Sequence, residues 1–281
     1  MRTSETDESK TGELRLNTTA IQRPEQLGPF SSSPVVDVHC HLLDKSFDDD
    51  RDDVISRAKT KSVVAAIEGT QNLEESKRML SERTEFWRAS AGIHPSFVRT
   101  EDVAPMLEFI SAHARDIVAV GEIGLDYYPE KTEQEKENMR TIFRCQAELA
   151  RDIDLPVVVH SRSAGKEAIS LLLTWGVKKA VLHAFDGRAS SALEGVKAGY
   201  FFSIPPSVSR SPQKRKMVRA LPLEAMLLET DSPVLGPTGR ERNEPRNVWV
   251  SAQAIAELKQ VAANEVARIT TANVAKLFRE L

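Results

Sequence analysis

The chain holds six histidines, and their placement is its main chemical signal. His39 and His41 close the run Asp37-Val38-His39-Cys40-His41. Two residues apart on a strand, their side chains share a face, so one strand end can offer two imidazoles to one metal ion. An isolated His-x-His is as readily a chance pair in a polar loop. Here the pattern repeats in kind. Glu122 ends Val118-Ala119-Val120-Gly121, His160 ends Val157-Val158-Val159, His183 ends Val181-Leu182, and Asp231 ends Leu227-Leu228-Glu229-Thr230. Singly, each has a bland role as a loop hydrogen bond or a helix cap. Six such groups at five strand ends need compensation, because burying each one bare is costly. A shared divalent metal centre supplies it. Four His and two carboxylates suit Zn, Mn, Mg, Co or Fe(II) without selecting one. Six ligands suit two ions better than one, and two ions about 4 Å apart clamp the attacking and leaving oxygens of a displacement. The chemistry implied is metal-assisted hydrolysis. No P-loop, dinucleotide fingerprint or nucleophile elbow competes with it.

The elements that must position these groups are eight short apolar runs, at Val35-Val38, Val63-Ile67, Trp87-Gly92, Ile117-Glu122, Pro156-His160, Ala180-His183, Tyr200-Ser203 and Met226-Asp231. Most are continuously apolar, as expected of parallel strands covered on both faces. The stretches between them read as helices. Thr132-Glu133-Gln134-Glu135 fits a capping box, and Met139, Ile142, Phe143, Leu149, Ala150 and Ile153 follow it at helical spacing. Segments 246–260 and 264–279 also read as helices. Eight alternating units predict an α/β fold, a (β/α)8 TIM barrel, with an open doubly wound sheet as the alternative. In a barrel all these strand ends converge on one rim.

Composition sets the outer bounds. The 281 residues allow one large domain or two. Residues 1–33 are polar and aperiodic, which predicts a disordered tail ahead of a hydrolase domain over 34–281. Lys+Arg of 38 against Asp+Glu of 41 excludes a generally basic nucleic-acid coat and leaves room for a local basic groove. Cys40 and Cys145 are too few for a disulfide framework or a Cys-based zinc fold. Aromatics at 6% argue against a dedicated stacking platform. No stretch has the length of a membrane helix, and the N-terminus has no apolar core of a secretory signal. The expectation is an intracellular protein, cytoplasmic or nuclear, with no membrane contact.

Seven ordered stretches resemble the TatD family of metal-dependent deoxyribonucleases, within the amidohydrolase-like barrels. They are Asp37-Val-His-Cys-His41, Gly92-Ile-His-Pro95, Gly121-Glu-Ile-Gly-Leu-Asp-Tyr-Tyr128, Val159-His-Ser-Arg162, His183-Ala-Phe-Asp-Gly187, Glu229-Thr-Asp-Ser-Pro233 and Arg242-Asn-Glu-Pro245. Ile204-Pro-Pro-Ser207 and Leu235-Gly-Pro237 look most like the third TatD-domain paralogue of animals. The resemblance implies that His39, His41 and Asp231 bind a first metal, and that Glu122 bridges to a second held by His160 and His183. It implies two divalent ions (Mg, Mn or Zn) and phosphodiester hydrolysis, commonly 3′ to 5′ on single-stranded or nicked DNA, with DNA-repair roles proposed. On this reading Asp231 is a ligand first and a proton acceptor second, with Glu122 its catalytic partner.

Substrate contacts follow from position. His94, in Gly92-Ile93-His94-Pro95, is expected at the same rim as a phosphate contact or a partner of the ligands. Arg162, Arg242 and Asn243 are expected to touch phosphate or base. Tyr127 and Tyr128 are of a type that stacks a base or packs. His113 reads as surface and Cys40 as core. Arg210, Lys214, Arg215, Lys216 and Arg219 form a basic segment that either tracks a phosphate backbone or is a solvated helix face. The acidic run from Asp44 to Asp53 reads as a solvated helix start. A small-molecule amidohydrolase, lactonase or phosphoesterase on the same barrel is the competing function, and a non-catalytic adaptor the third. No protein partner is identifiable, and a monomer is expected.

Overall fold

Eight parallel strands alternate with helices across residues 33–279, the part of the chain that the computed structural model describes. The expected disordered tail lies outside the described residues apart from Ser33. The strands are β1 (Val35–Cys40), β2 (Val63–Glu68), β3 (Trp87–Ala91), β4 (Ala119–Asp126), β5 (Val157–Arg162), β6 (Ala180–Leu182), β7 (Phe201–Ile204) and β8 (Met226–Leu228). Each pairs with the next in chain order. Between β8 and β1 the ring is drawn together by loop residues. Asp231 N donates to His39 O at 2.9 Å, and His41 N donates to Ser232 O at 2.8 Å. The result is a nearly closed (β/α)8 barrel.

Parallel pairing needs a crossover after every strand. The crossover helices are α1 (Arg51–Lys59), α2 (Leu73–Glu82), α3 (Val103–Ala112), α4 (Glu133–Asp152), α5 (Gly165–Thr174), α6 (Ala189–Lys197) and α7 (Pro212–Ala220), followed by α8 (Val248–Lys259) and α9 (Ala263–Leu277). The capping box at Thr132 and Glu135 forms. Below it Met139, Ile142, Phe143, Ala147 and Ala150 are buried.

The continuous apolar runs are explained by two cores. Val157 and Val159 join the large layer between strands and helices, while Val158 points the other way. Val36, Val38, Ala65, Ile67, Ala119, Val158, Val181 and Leu227 fill the barrel interior, where Val274, Leu277 and Phe278 from the end of α9 join them. The metal-type side chains lie above this apolar floor.

Several local expectations change. The fourth strand starts at Ala119 and runs on to Asp126, so Glu122 lies inside a strand instead of ending one. Pairing with β5 continues as far as Asp126 and Arg162, which extends both strands. Asp52 and Asp53 do open α1, but Asp50 is drawn into ion pairs with Arg57 and Arg242. On α7, Arg215 pairs with Glu257 at 2.7 Å on the outer surface, whereas Lys214 is buried. His113 follows α3 and faces Asp116, and Cys40 is fully buried. No helix among the described residues is long and apolar enough to cross a membrane.

Candidate metal centre

One cavity of about 910 Å³ opens at the C-terminal rim. Its lining includes His41, His94, Glu122, His160, Arg162, His183, Lys214 and Asp231. His39 sits just beneath, 1% exposed.

The donor atoms fall into two groups that share one carboxylate. In the first, His39 Nε2 and His41 Nε2 are 3.2 Å apart. Glu122 Oε2 lies 3.4 and 3.6 Å from them, and Asp231 Oδ1 lies 3.7 and 3.3 Å from them. In the second, His160 Nδ1 and His183 Nε2 are 3.3 Å apart, and Glu122 Oε1 lies 2.8 and 2.9 Å from them. Each oxygen of Glu122 therefore faces its own pair of imidazoles. The donor set fits divalent ions. Ligand atoms about 2.1 Å from one centre sit about 3.0–3.4 Å from each other in octahedral or tetrahedral arrangements, which is the nitrogen spacing seen in both pairs. Glu122 is 2% exposed, and its ion-pair partners among the described residues are histidines alone.

The electrostatics keep the carboxylates ionised. Burial works to raise Glu122, but the facing imidazoles of His94, His183 and His39 outweigh it and hold the carboxyl well below its ordinary value. Asp231 is likewise lowered, against its burial, by the hydrogen bond from His41 and by His183 and His39. His41 rises to about 9, because the Asp231 hydrogen bond and the Glu122 charge overcome desolvation. His183 is raised well above its usual value against the same penalty, chiefly by Glu122. His39 is lowered by burial and by the neighbouring His183. The pocket thus concentrates negative charge that protons partly balance and that a dication can balance instead.

His94 joins the cavity in a different role. Its Nδ1 accepts the backbone N–H of Ser96 at 3.0 Å, so the ring proton sits on Nε2. That atom is 3.4 Å from Glu122 Oε1. In this orientation His94 is a donor into the cavity.

The structure does not bring Arg242 or Asn243 into the cavity. Arg242 forms a two-pronged pair with Asp50, 2.7 Å on each arm, and stacks on Phe47. Asn243 is 1% exposed, and its amide donates to Thr230 O at 2.7 Å and Val234 O at 2.9 Å, fixing the loop that carries Asp231. Arg162 does line the cavity, its guanidinium 4.0 Å from the centre of the Tyr128 ring. Lys214 is the one member of the basic segment that reaches the cavity, where Nζ donates to Ala184 O at 2.6 Å.

Sequence reasoning passed over four buried carboxylates that hold the donors in place. Asp126 Oδ2 is 3.1 Å from His160 Nε2 and orients that ring. Glu229 accepts from Ala184 N at 2.8 Å and Ser203 Oγ at 2.6 Å, and lies 3.5 Å from His183 Nδ1. Asp37 accepts from Thr230 N at 2.8 Å, joining β1 to the Asp231 loop. Glu68 accepts from Leu42 N, Leu43 N and Trp87 Nε1 at 2.8 to 3.0 Å, and burial pushes it up to about 7. Glu68 carried the same signal as the ligands, a carboxylate at a strand end.

The family model for TatD related DNase matches residues 36–279, nearly all of the barrel. The chain belongs to the TatD-related DNase family. It is 45% identical over 261 residues to the human protein named Deoxyribonuclease TATDN3, covering 88% of this chain and 95% of that one. It is 34% identical to the Bacillus subtilis protein YabD, named an uncharacterized metal-dependent hydrolase, over 86% of this chain and 98% of that one. Among solved structures, the Escherichia coli TatD homologue YJJV superposes with a TM-score of 0.82 at 27% identity, covering 88% and 99% of the two chains. The family membership makes this chain a metal-dependent hydrolase acting on ester bonds, and its cluster of His and carboxylate side chains is where a metal can bind.

Proposed function

We propose that the protein hydrolyses phosphodiester bonds in single-stranded DNA, shortening it from the 3′ end, with two divalent ions. The observation that carries this reading is the sharing of Glu122, one oxygen to each donor pair. His39, His41 and Asp231 would hold one ion, and His160 and His183 the other, with Glu122 between them. The human relative named a deoxyribonuclease supports DNA as the substrate.

When bound, the ions supply Lewis-acid polarisation of the phosphoryl oxygens and make water a better nucleophile near neutral pH. The protein's own groups do the rest. Asp231 stays ionised at the cavity wall and can take a proton from the attacking water. His94 Nε2 donates toward the same space and can steady a phosphoryl oxygen. Arg162 and Lys45 line the mouth and favour an anionic strand. Asp126 keeps the His160 ring from rotating.

The test is cleavage of 3′- and 5′-labelled single-stranded DNA by metal-stripped protein, with Mg, Mn or Zn restored separately and Glu122→Ala as control. Stepwise shortening from the 3′ end with a restored metal, absent in the control, is expected. No cleavage by folded protein of confirmed metal content would overturn the reading.

A further inference from the structure

The two tyrosines after Glu122 have separate fates. Tyr127 is committed to packing. Its hydroxyl donates to Glu167 at 3.0 Å, and Lys136 lies over its ring. Tyr128 is 57% exposed, an unusual setting for a ring beside a catalytic cavity. Its position is nonetheless fixed. The Tyr128 N–H donates to Asp126 Oδ1 at 2.9 Å, while the other oxygen of Asp126 faces His160. One face of the ring carries the Arg162 guanidinium, 4.0 Å from its centre.

The surroundings point to a ligand with both rings and charge. Six large apolar side chains are exposed among the described residues, and three of them, Phe97, Tyr128 and Val234, lie in the segments that follow β3, β4 and β8. Phe97 is beside His94, with 6.4 Å between ring centres, and Val234 is part of the cavity wall. Apolar and aromatic surface therefore lies beside Arg162, which touches Tyr128 and lines the cavity, and near Lys45 on the same wall. A polynucleotide with unpaired bases offers that combination. Its bases have free π faces, whereas duplex bases show theirs only at helix ends. The low aromatic content excludes a row of rings, and a hydrolase that holds one bond at a time needs only one.

We infer that Tyr128 is the platform on which the unpaired base next to the scissile phosphate stacks, with Arg162 bracing the ring and reaching the phosphate. This rests on the nuclease reading above and names how that site selects single strands. Arg162 serves both contacts because a guanidinium can lie flat on a ring while its edge stays free to donate.

The test compares wild type with Tyr128→Ala, Tyr128→Phe and Tyr128→Trp on a single-stranded oligonucleotide. It is paired with binding of a phosphorothioate oligonucleotide that carries 2-aminopurine beside the protected bond. Removing a stacking ring weakens binding about 5- to 150-fold. The expected result is a KM higher by that factor in Tyr128→Ala, with kcat changed less than about threefold, and near-normal KM in the Phe and Trp variants. Quenching of 2-aminopurine is expected in wild type and Tyr128→Phe and is lost in Tyr128→Ala. Unchanged KM and quenching in Tyr128→Ala would overturn the platform while leaving the nuclease intact. Equal damage in Tyr128→Phe would assign the residue to loop structure. A wild type that neither cuts nor binds the strand would overturn the nuclease reading and the platform together.

Discussion

Gly69 follows β2 and lies against His39 of β1 and His41 just beyond it. A Cβ built there would stand 2.4 Å from His39 Cε1, 2.9 Å from His39 Nε2 and 3.0 Å from His41 Cε1. Carbon atoms rest at about 3.5–4.0 Å, so Gly69→Ala must drive the His39 ring back by at least about 1 Å. Metal sites tolerate ligand displacements of only about 0.2 Å. The His39 ring is also stacked on His183, 4.1 Å between centres, so a shift of one disturbs the other. A change in a group next to a ligand commonly weakens metal affinity about 10- to 100-fold. Displacing the ligand itself is expected to reach at least the upper figure, about 2.8 kcal/mol. Calorimetric titration of metal-stripped protein with Mn or Zn reads this directly. The first donor pair should lose its ion, and the second, His160 with His183, should be weakened less, because the strain reaches it only through the His39–His183 stack. Gly176→Ala is the matched control. Its φ is +71 with nothing within 4 Å, so it should lower Tm through backbone strain of about 1 kcal/mol and leave metal affinity alone. Gly69→Ala protein with wild-type affinity and stoichiometry would refute the steric argument.

Asp126→Asn should lower metal affinity at the His160 group or turnover about 10- to 100-fold while the fold persists, checked by metal content and kcat. Arg242→Ala should cost about 1 kcal/mol of stability by denaturant melting, and leave KM for DNA unchanged, because its charge is spent on Asp50 and Phe47. The metal-free protein should lose stability as pH rises. His41 has a folded value near 9 against an ordinary 6.5, so its contribution is complete below about 6.5 and gone above about 9. His183 and His160 shift in the same direction. Glu122 and Asp231 are depressed, so their contribution is present above the ordinary carboxylate range and lost in acid. Tm of the metal-free form should therefore peak in mildly acidic buffer and fall towards pH 9.5, and saturating metal should flatten the alkaline arm. An alkaline arm unchanged by metal would place the titrating groups elsewhere.

The histidines were legible because strand-end position and residue type are both local facts. Val157-Val158-Val159-His160 announces a buried strand that delivers an imidazole at its top, and the structure puts that ring in the cavity. Glu122 was found for a partly mistaken reason. Its strand continues four residues beyond it, and the inward face of β4, more than its end, presents the carboxylate. Glu68 went unread because its run was stopped one residue early, at Ile67. Asp37 and Glu229 lay inside motifs yet received no role, since their work is done on backbone N–H groups 193 and 45 residues away. No local pattern encodes such a pairing. Arg242 shows the same limit from the other side. Its loop follows β8, as a substrate contact would require, but Asp50, 192 residues earlier, claims its guanidinium.

The meeting of the first and last strands carries a consequence for how the chain comes to life. Asp231 and His39 face the same space, and the backbone bond between them helps draw β8 against β1. A ribosome must therefore finish nearly the whole barrel before Asp231 can stand opposite the imidazoles made near the start. Closing so long a loop is entropically costly and comes late. An ion that engages both ends would act as a clasp, rewarding only the completed ring. A truncated or half-folded chain would offer such an ion only part of its grip.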